Sequence, residues 1–115
     1  MPRHLVAHID DLPPGSGREI VVADRVVALF RIGDEFFAMD GICPHAGGPL
    51  GEGYVSGSRV TCPWHGYQYR PETGASPPPF NDKVATFKTK VVNGRVLLHP
   101  CAQPPGTYVE PSQIV

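Results

Sequence analysis

Apolar positions along the 115-residue chain fall in short, β-branched runs set apart by turn residues. The runs are "EIVVA" at 19–23, "VVALF" at 26–30, "EFFAM" at 35–39, "ATFKTKVV" at 85–92 and "RVLLH" at 95–99, and each reads as a strand. In the fourth run Thr86, Lys88 and Lys90 alternate with Phe87, Thr89 and Val91, the period of a strand with one face buried, although Thr89 interrupts the apolar side. "IGDE" at 32–35 and the Asn93-Gly94 pair are hairpin signals. The second suits a two-residue type I′ turn, because both residues accept positive φ. No window sustains a helical period, so any helix is expected to be a single turn. The chain is therefore expected to be all-β.

Composition changes this picture in one place. Fourteen Pro and 13 Gly would point to disorder in a polar chain, but here they concentrate between two halves of a β scaffold. Residues 1–40 and 84–99 form the scaffold, and 41–83 a Gly- and Pro-rich insertion. Residues 1–100 are expected to make a single domain, and 101–115 a Pro-containing tail that lies along the surface or frays. The net charge of −1 supplies no field for nucleic acid or an anionic membrane. The longest purely apolar stretch, Val26 to Phe30, is far below the ~20 residues of a membrane span. The opening "MPRHLVAHIDD" lacks the apolar core of a secretory signal, and there is no Asn-x-Ser/Thr acceptor. A soluble, cytoplasmic protein is expected. Nothing demands self-association, so a monomer is expected.

The insertion holds the chemistry. Residues 43–65 read "CPHAGGPLGEGYVSGSRVTCPWH", pairing Cys43 with His45 and Cys62 with His65 across sixteen intervening positions. A lone Cys or His near a turn is usually structural. Two pairs at this spacing make a metal-ligand set the better reading, and three cysteines are a poor basis for a disulfide framework. The short gaps put each pair in a tight loop, so two loops must converge. One Zn²⁺ accepts a Cys₂His₂ set, but zinc modules usually gather both cysteines in one knuckle. One thiolate and one imidazole per loop suit a bimetallic centre instead. Cys101 reads as a free thiol; His4, His8 and His99 read as ordinary surface or strand residues.

With its C-x-H and C-x-x-H pairs about sixteen residues apart, the sequence resembles the Rieske family from about residue 3 to 99, its specific motifs lying within 41–80. The resemblance implies an antiparallel β-sandwich base topped by a smaller cluster-binding subdomain. It also implies one [2Fe-2S] cluster, with Cys43 and Cys62 on the inner iron and His45 and His65 on the outer, solvent-facing iron. "GASPPPF" at 74–80 corresponds to a proline-rich loop that covers the cluster in relatives. Two Fe³⁺, two sulfides and two thiolates sum to zero, so one electron makes such a centre −1, whereas a four-cysteine cluster starts from −2. The potential then lies above that of plant-type ferredoxins, in a range of roughly −150 to +300 mV, and reduction raises the proton affinity of the histidines' outer nitrogens. Gly48 and Trp64 stand where quinol-oxidising members carry an extra disulfide. Tyr67 stands where they carry a serine that donates to a sulfide, while Tyr69 matches a family tyrosine that donates to a cysteine sulfur. These departures imply a low-potential, ferredoxin-like centre.

The function implied is one-electron transfer from a flavin-dependent reductase to a terminal oxygenase, without catalysis by this chain alone. Docking is expected at the edge marked by His45 and His65, with Trp64, Pro49, Leu50 and Pro78 at the rim. Trp64 reads equally well as a core aromatic. The insertion glycines Gly47, Gly48, Gly51, Gly53 and Gly66 are expected to serve backbone conformation and close approach of amides to sulfur. Two alternatives stand beside this reading: the small subunit of an assimilatory NAD(P)H nitrite reductase, and a zinc-stabilised β module that binds a partner.

Overall fold

The computed structural model describes residues 4–42, 47–64, 66–78 and 82–113. Among them are eleven strands: β1 (His4–His8), β2 (Gly17–Val22), β3 (Arg25–Ile32), β4 (Glu35–Asp40), β5 (Tyr54–Ser56), β6 (Arg59–Thr61), β7 (Gln68–Tyr69), β8 (Thr86–Phe87), β9 (Thr89–Val92), β10 (Arg95–Leu98) and β11 (Ser112–Gln113). Helix among the described residues is confined to two three-residue 3₁₀ turns, Ile9–Asp11 and Leu50–Glu52. The all-β expectation is borne out. No helix among the described residues is long and apolar enough to cross a membrane.

The strands make three antiparallel sheets, ordered β1-β10-β9, β11-β4-β3-β2 with β8 also on β4, and β5-β6-β7. The middle one is covered on both faces, and β3 shows why its sequence reads "VVALF" without a polar interruption. Successive side chains of a strand point to opposite faces. Val27 and Leu29 enter a core with Phe36, Ala38 and Phe87 of the same sheet and Ala7, Val96 and Leu98 of the first sheet. Ala28 and Phe30 face the other way, into a core with Met39, Leu50, Val60, Cys62, Tyr69 and Val84. The first core closes the expected β-sandwich; the second joins the small β5-β6-β7 sheet to it.

Both expected hairpins form. Gly33 (φ 61°) turns β3 into β4, with Ile32 opposite Glu35, and Asn93 and Gly94 (φ 51° and 75°) turn β9 into β10. Ala23 falls not in a strand but in the β2–β3 turn, where it and Asp24 take φ of 50° and 62° without a glycine. The 85–92 run is two strands instead of one. Thr86 and Phe87 pair with β4, the chain leaves the ladder at Lys88, and residues 89–92 pair with β10 in another sheet. The tail lies along the surface, as one of the two expectations had it. It does not fray as far as Gln113, because β11 pairs with β4 and Val109 is buried. Arg31 ties the Ile9–Leu12 connection to the sheet. Its guanidinium donates to the carbonyls of Ile9, Leu12 and Gly33 at 3.0, 3.1 and 2.8 Å, and to Asp34 Oδ1 at 3.2 Å.

Candidate metal centre

Each Cys/His pair belongs to a loop whose neck is closed by the backbone. The first loop leaves β4 at Gly41. The Leu50 N–H donates to the Gly41 carbonyl at 2.9 Å, and Ile42 bridges Pro49, so the neck of this loop is closed. The Gly41 N–H in turn donates to Val26 O at 3.0 Å. A Cβ at Gly41 would meet Val26 Cγ1 at 2.5 Å, so only glycine lets the neck lie this close to β3. The second loop is the β6–β7 turn, closed where the Cys62 N–H donates to Tyr67 O at 2.7 Å. The two loops converge at Gly48, where an added Cβ would sit 3.0 Å from both Cys62 Sγ and Trp64 Cγ. Main chain from the first loop thus lies directly on the sulfur of the second, as the two-loop reading of the sequence requires.

Cys62 is 1% exposed at the edge of the second core, and no Asp, Glu, Lys or Arg is fully buried among the described residues. The inner end of the site is therefore apolar, a setting in which a thiolate is held only with a cation beside it. Cys43, His45 and His65 lie outside the described residues. Trp64 is 49% exposed, which settles its two readings in favour of a surface ring, and Ile42 beside the first neck is 51% exposed. Pro49 is half-buried and Pro78 exposed, consistent with a rim. Leu50 is not at the rim: it is wholly buried between the 3₁₀ turn and β3, since this turn packs its apolar side on the middle sheet.

Gly51 and Gly53 lie close against neighbouring backbone: added Cβ atoms would meet Glu19 N and Cα at 2.8 Å and collide with Thr61 O. Tyr69 is fully buried in the core that contains Cys62, and Tyr67 packs against that core. Pro77 is buried, while Pro79 and Phe80 lie outside the described residues. Sequence reasoning passed over Ser76, a buried residue just before the prolines whose hydroxyl has no hydrogen-bond partner among the described residues. It also passed over Gly41, for which the only signal was its place between a strand and the first cysteine. Cys101 is exposed, its N–H donating to His99 Nδ1 at 3.2 Å. No group of three metal-binding side chains occurs among the described residues.

A layered β scaffold carrying two necked loops, with an apolar inner end and an exposed aromatic beside it, defines a small all-β protein whose site is made by loops. Residues 3–88 match the Rieske [2Fe-2S] domain. The chain belongs to that family, and its cofactor is one [2Fe-2S] cluster. It is 35% identical over 94 residues to the anthranilate 1,2-dioxygenase ferredoxin subunit of Burkholderia cepacia, covering 81% of this chain and 87% of that one. Apoptosis-inducing factor 3 of Mus musculus is 35% identical over 99 residues, but there the chain, with 85% of its own length matched, spans only 16% of the relative. A chain in the solved complex of reduced oxygenase and oxidised ferredoxin of carbazole 1,9a-dioxygenase superposes with a TM-score of 0.80 at 28% identity, over 89% of this chain and 96% of that one. One described as an NADH-dependent nitrite reductase small subunit, from Mycobacterium tuberculosis, superposes with a TM-score of 0.75 at 23% identity, over 90% of this chain and 96% of that one. That second likeness is one of fold.

Proposed function

We propose that this chain is the ferredoxin component of an oxygenase system, a cytoplasmic one-electron carrier between a flavin-dependent reductase and a terminal oxygenase. Cys43, Cys62, His45 and His65 would hold the cluster, the cysteines as thiolates and the histidines through a ring nitrogen. The observation that carries the reading is the convergence of the two necked loops, with Gly48 backed onto Cys62 Sγ and Trp64 turned outward. Once bound, the cluster supplies a reversible one-electron couple. The chain's own residues do the rest. Leu50, Val60 and Tyr69 exclude water from the inner end, where Cys62 is buried. Trp64 and Ile42 give the loop end an apolar surface of the kind a small, transient electron-transfer interface uses. Two relatives that match along most of their length, the anthranilate dioxygenase ferredoxin subunit and the chain of the carbazole dioxygenase oxygenase–ferredoxin complex, support the oxygenase half of this reading.

The test is electron paramagnetic resonance of the purified protein after dithionite reduction, with iron and zinc analysis. A rhombic signal of average g near roughly 1.9 with two irons per chain is the expected result. A colourless, silent protein holding stoichiometric zinc sinks the proposal and leaves the zinc-stabilised β module. Reduction kinetics with a flavin reductase, followed by turnover with a terminal oxygenase, then test the two partners separately.

A further inference from the structure

The family match ends at residue 88, yet the chain beyond Pro100 is bound to the body of the protein at three places. At the first, the Gln103 N–H donates to Thr86 O of β8 at 2.7 Å. At the second, the N–H groups of Gly106 and Val109 donate to the carbonyls of Thr73 and Glu72 at 2.9 and 2.7 Å. At the third, β11 adds to β4, placing Ser112 opposite Phe36, and the Ser112 and Thr89 hydroxyls lie 2.7 Å apart. Val109 is the apolar anchor, 8% exposed and gathered with Pro71, Phe36 and Phe87 around a small internal space.

The middle attachment falls on the insertion. Glu72 and Thr73 lie in the turn that opens a hairpin leading to the prolines. The turn is closed by Arg70 N–H to Ala75 O (2.8 Å), and the arms of the hairpin are held by Ser76 N–H to Asp82 O (2.9 Å) and Val84 N–H to Gly74 O (2.8 Å). This hairpin adjoins the site at both roots: Tyr69, which precedes it, and Val84, on its returning arm, share the second core with Cys62. Pro77 and Ser76 are buried at its described end. A segment bonded to the base on one side, the hairpin in the middle and the edge of β4 on the other limits how the hairpin can shift against the base.

We propose that residues 103–113 are a strap that fixes the proline-bearing hairpin against the β base and so sets how far water reaches the cluster, with Val109 as its positioning residue. The second half of this statement rests on the proposed ligand set and on the proline segment's covering the cluster. Greater water access favours the reduced cluster, which carries the extra negative charge, so a loosened strap raises the midpoint potential. It also opens the cluster to chelators.

The test compares the holoprotein with Val109→Glu, Val109→Ile and, as an exposed control on the same segment, Tyr108→Ala. Val109→Glu is expected to raise the potential and to speed iron release to a chelator roughly tenfold, the factor that a loss of local stability of this order produces. Val109→Ile and Tyr108→Ala are expected to keep both at their original values. A Val109→Glu protein with unchanged potential and iron release overturns the proposal. Hydrogen exchange of the unaltered protein, read by mass spectrometry, keeps the test decisive should that variant fail to fold. The Gly106 and Val109 amides are expected to be protected to within about threefold of Gly74, Ser76 and Val84, as members of one cooperative unit. Exchange of the two strap amides about a hundredfold faster than the hairpin overturns the strap. Metal analysis of the same sample separates that failure from failure of the cluster reading.

Discussion

Gly48 illustrates how little room the site leaves. Its Cβ position is already within 3.0 Å of Cys62 Sγ and of the Trp64 ring, so Gly48→Ala must push apart the two loops that have to meet. The expected outcome is a folded protein, by far-UV circular dichroism, whose iron content after purification falls below about half of the original, because ligand geometry tolerates displacements of only about 0.5 Å. Arg31 shows the same economy of space in the base. One planar guanidinium serves three carbonyls and Asp34, a fork that a lysine ammonium does not reproduce. Arg31→Lys is expected to cost about 1–3 kcal/mol in urea unfolding, the penalty of leaving part-buried carbonyls unpaired. Tyr67 is expected to bear on the potential. Its ring packs on the second core, where the resemblance places a donor serine in higher-potential relatives. Tyr67→Ser is expected to raise the midpoint by up to roughly 60–130 mV, the one-electron equivalent of ~1.5–3 kcal/mol for a hydrogen bond to a charged group. An unchanged titration would mean that the new hydroxyl does not reach the cluster.

Among the elements, β3 places two buried residues in each core. Phe30 lies fully buried against Gly17 and the second core, and Phe30→Ala is expected to destabilise the protein by about 3–5 kcal/mol in denaturant titration. Strands such as β3 and β4 were legible because local pattern and tertiary burial agree: apolar, β-branched, bounded by turn residues. The motif was equally legible, since each Cys/His pair is local in sequence. What stayed hidden depends on distant partners. The strands β5, β6 and β7 are only two or three residues each, and "YVS", "RVT" and "QY" acquire strand character by pairing with one another beneath the middle sheet. Strand β1 exists because β10 lies beside it, some ninety residues later, and β11 because β4 offers an edge. The break at Lys88 left no trace in the alternation either, since a strand that changes sheets keeps its side-chain period while changing neighbours. Leu50 misled for a related reason: proximity in sequence to the first histidine placed it at the rim, but the 3₁₀ turn rolls it inward.

For the molecule as a whole, the middle sheet makes the base and the metal-bearing insertion one structure, since its two faces belong to different cores. The midpoint potential is expected near the lower end of the roughly −150 to +300 mV range, because Gly48 and Trp64 exclude the extra disulfide and Tyr67 replaces the serine. A titration near the upper end would require donors other than those three positions supply. The necks of the two loops carry a further consequence. Both are closed by main-chain hydrogen bonds, Leu50 to Gly41 and Cys62 to Tyr67, in which no iron takes part. A recipient closed in this way is expected to fold before its cargo arrives, so that maturation is a delivery and not folding around inorganic sulfide and iron. Protein stripped by a chelator under reducing conditions should keep its far-UV spectrum and regain its colour when ferrous iron and sulfide are returned. Collapse of the spectrum on stripping would show instead that the cluster is needed to shape its own container.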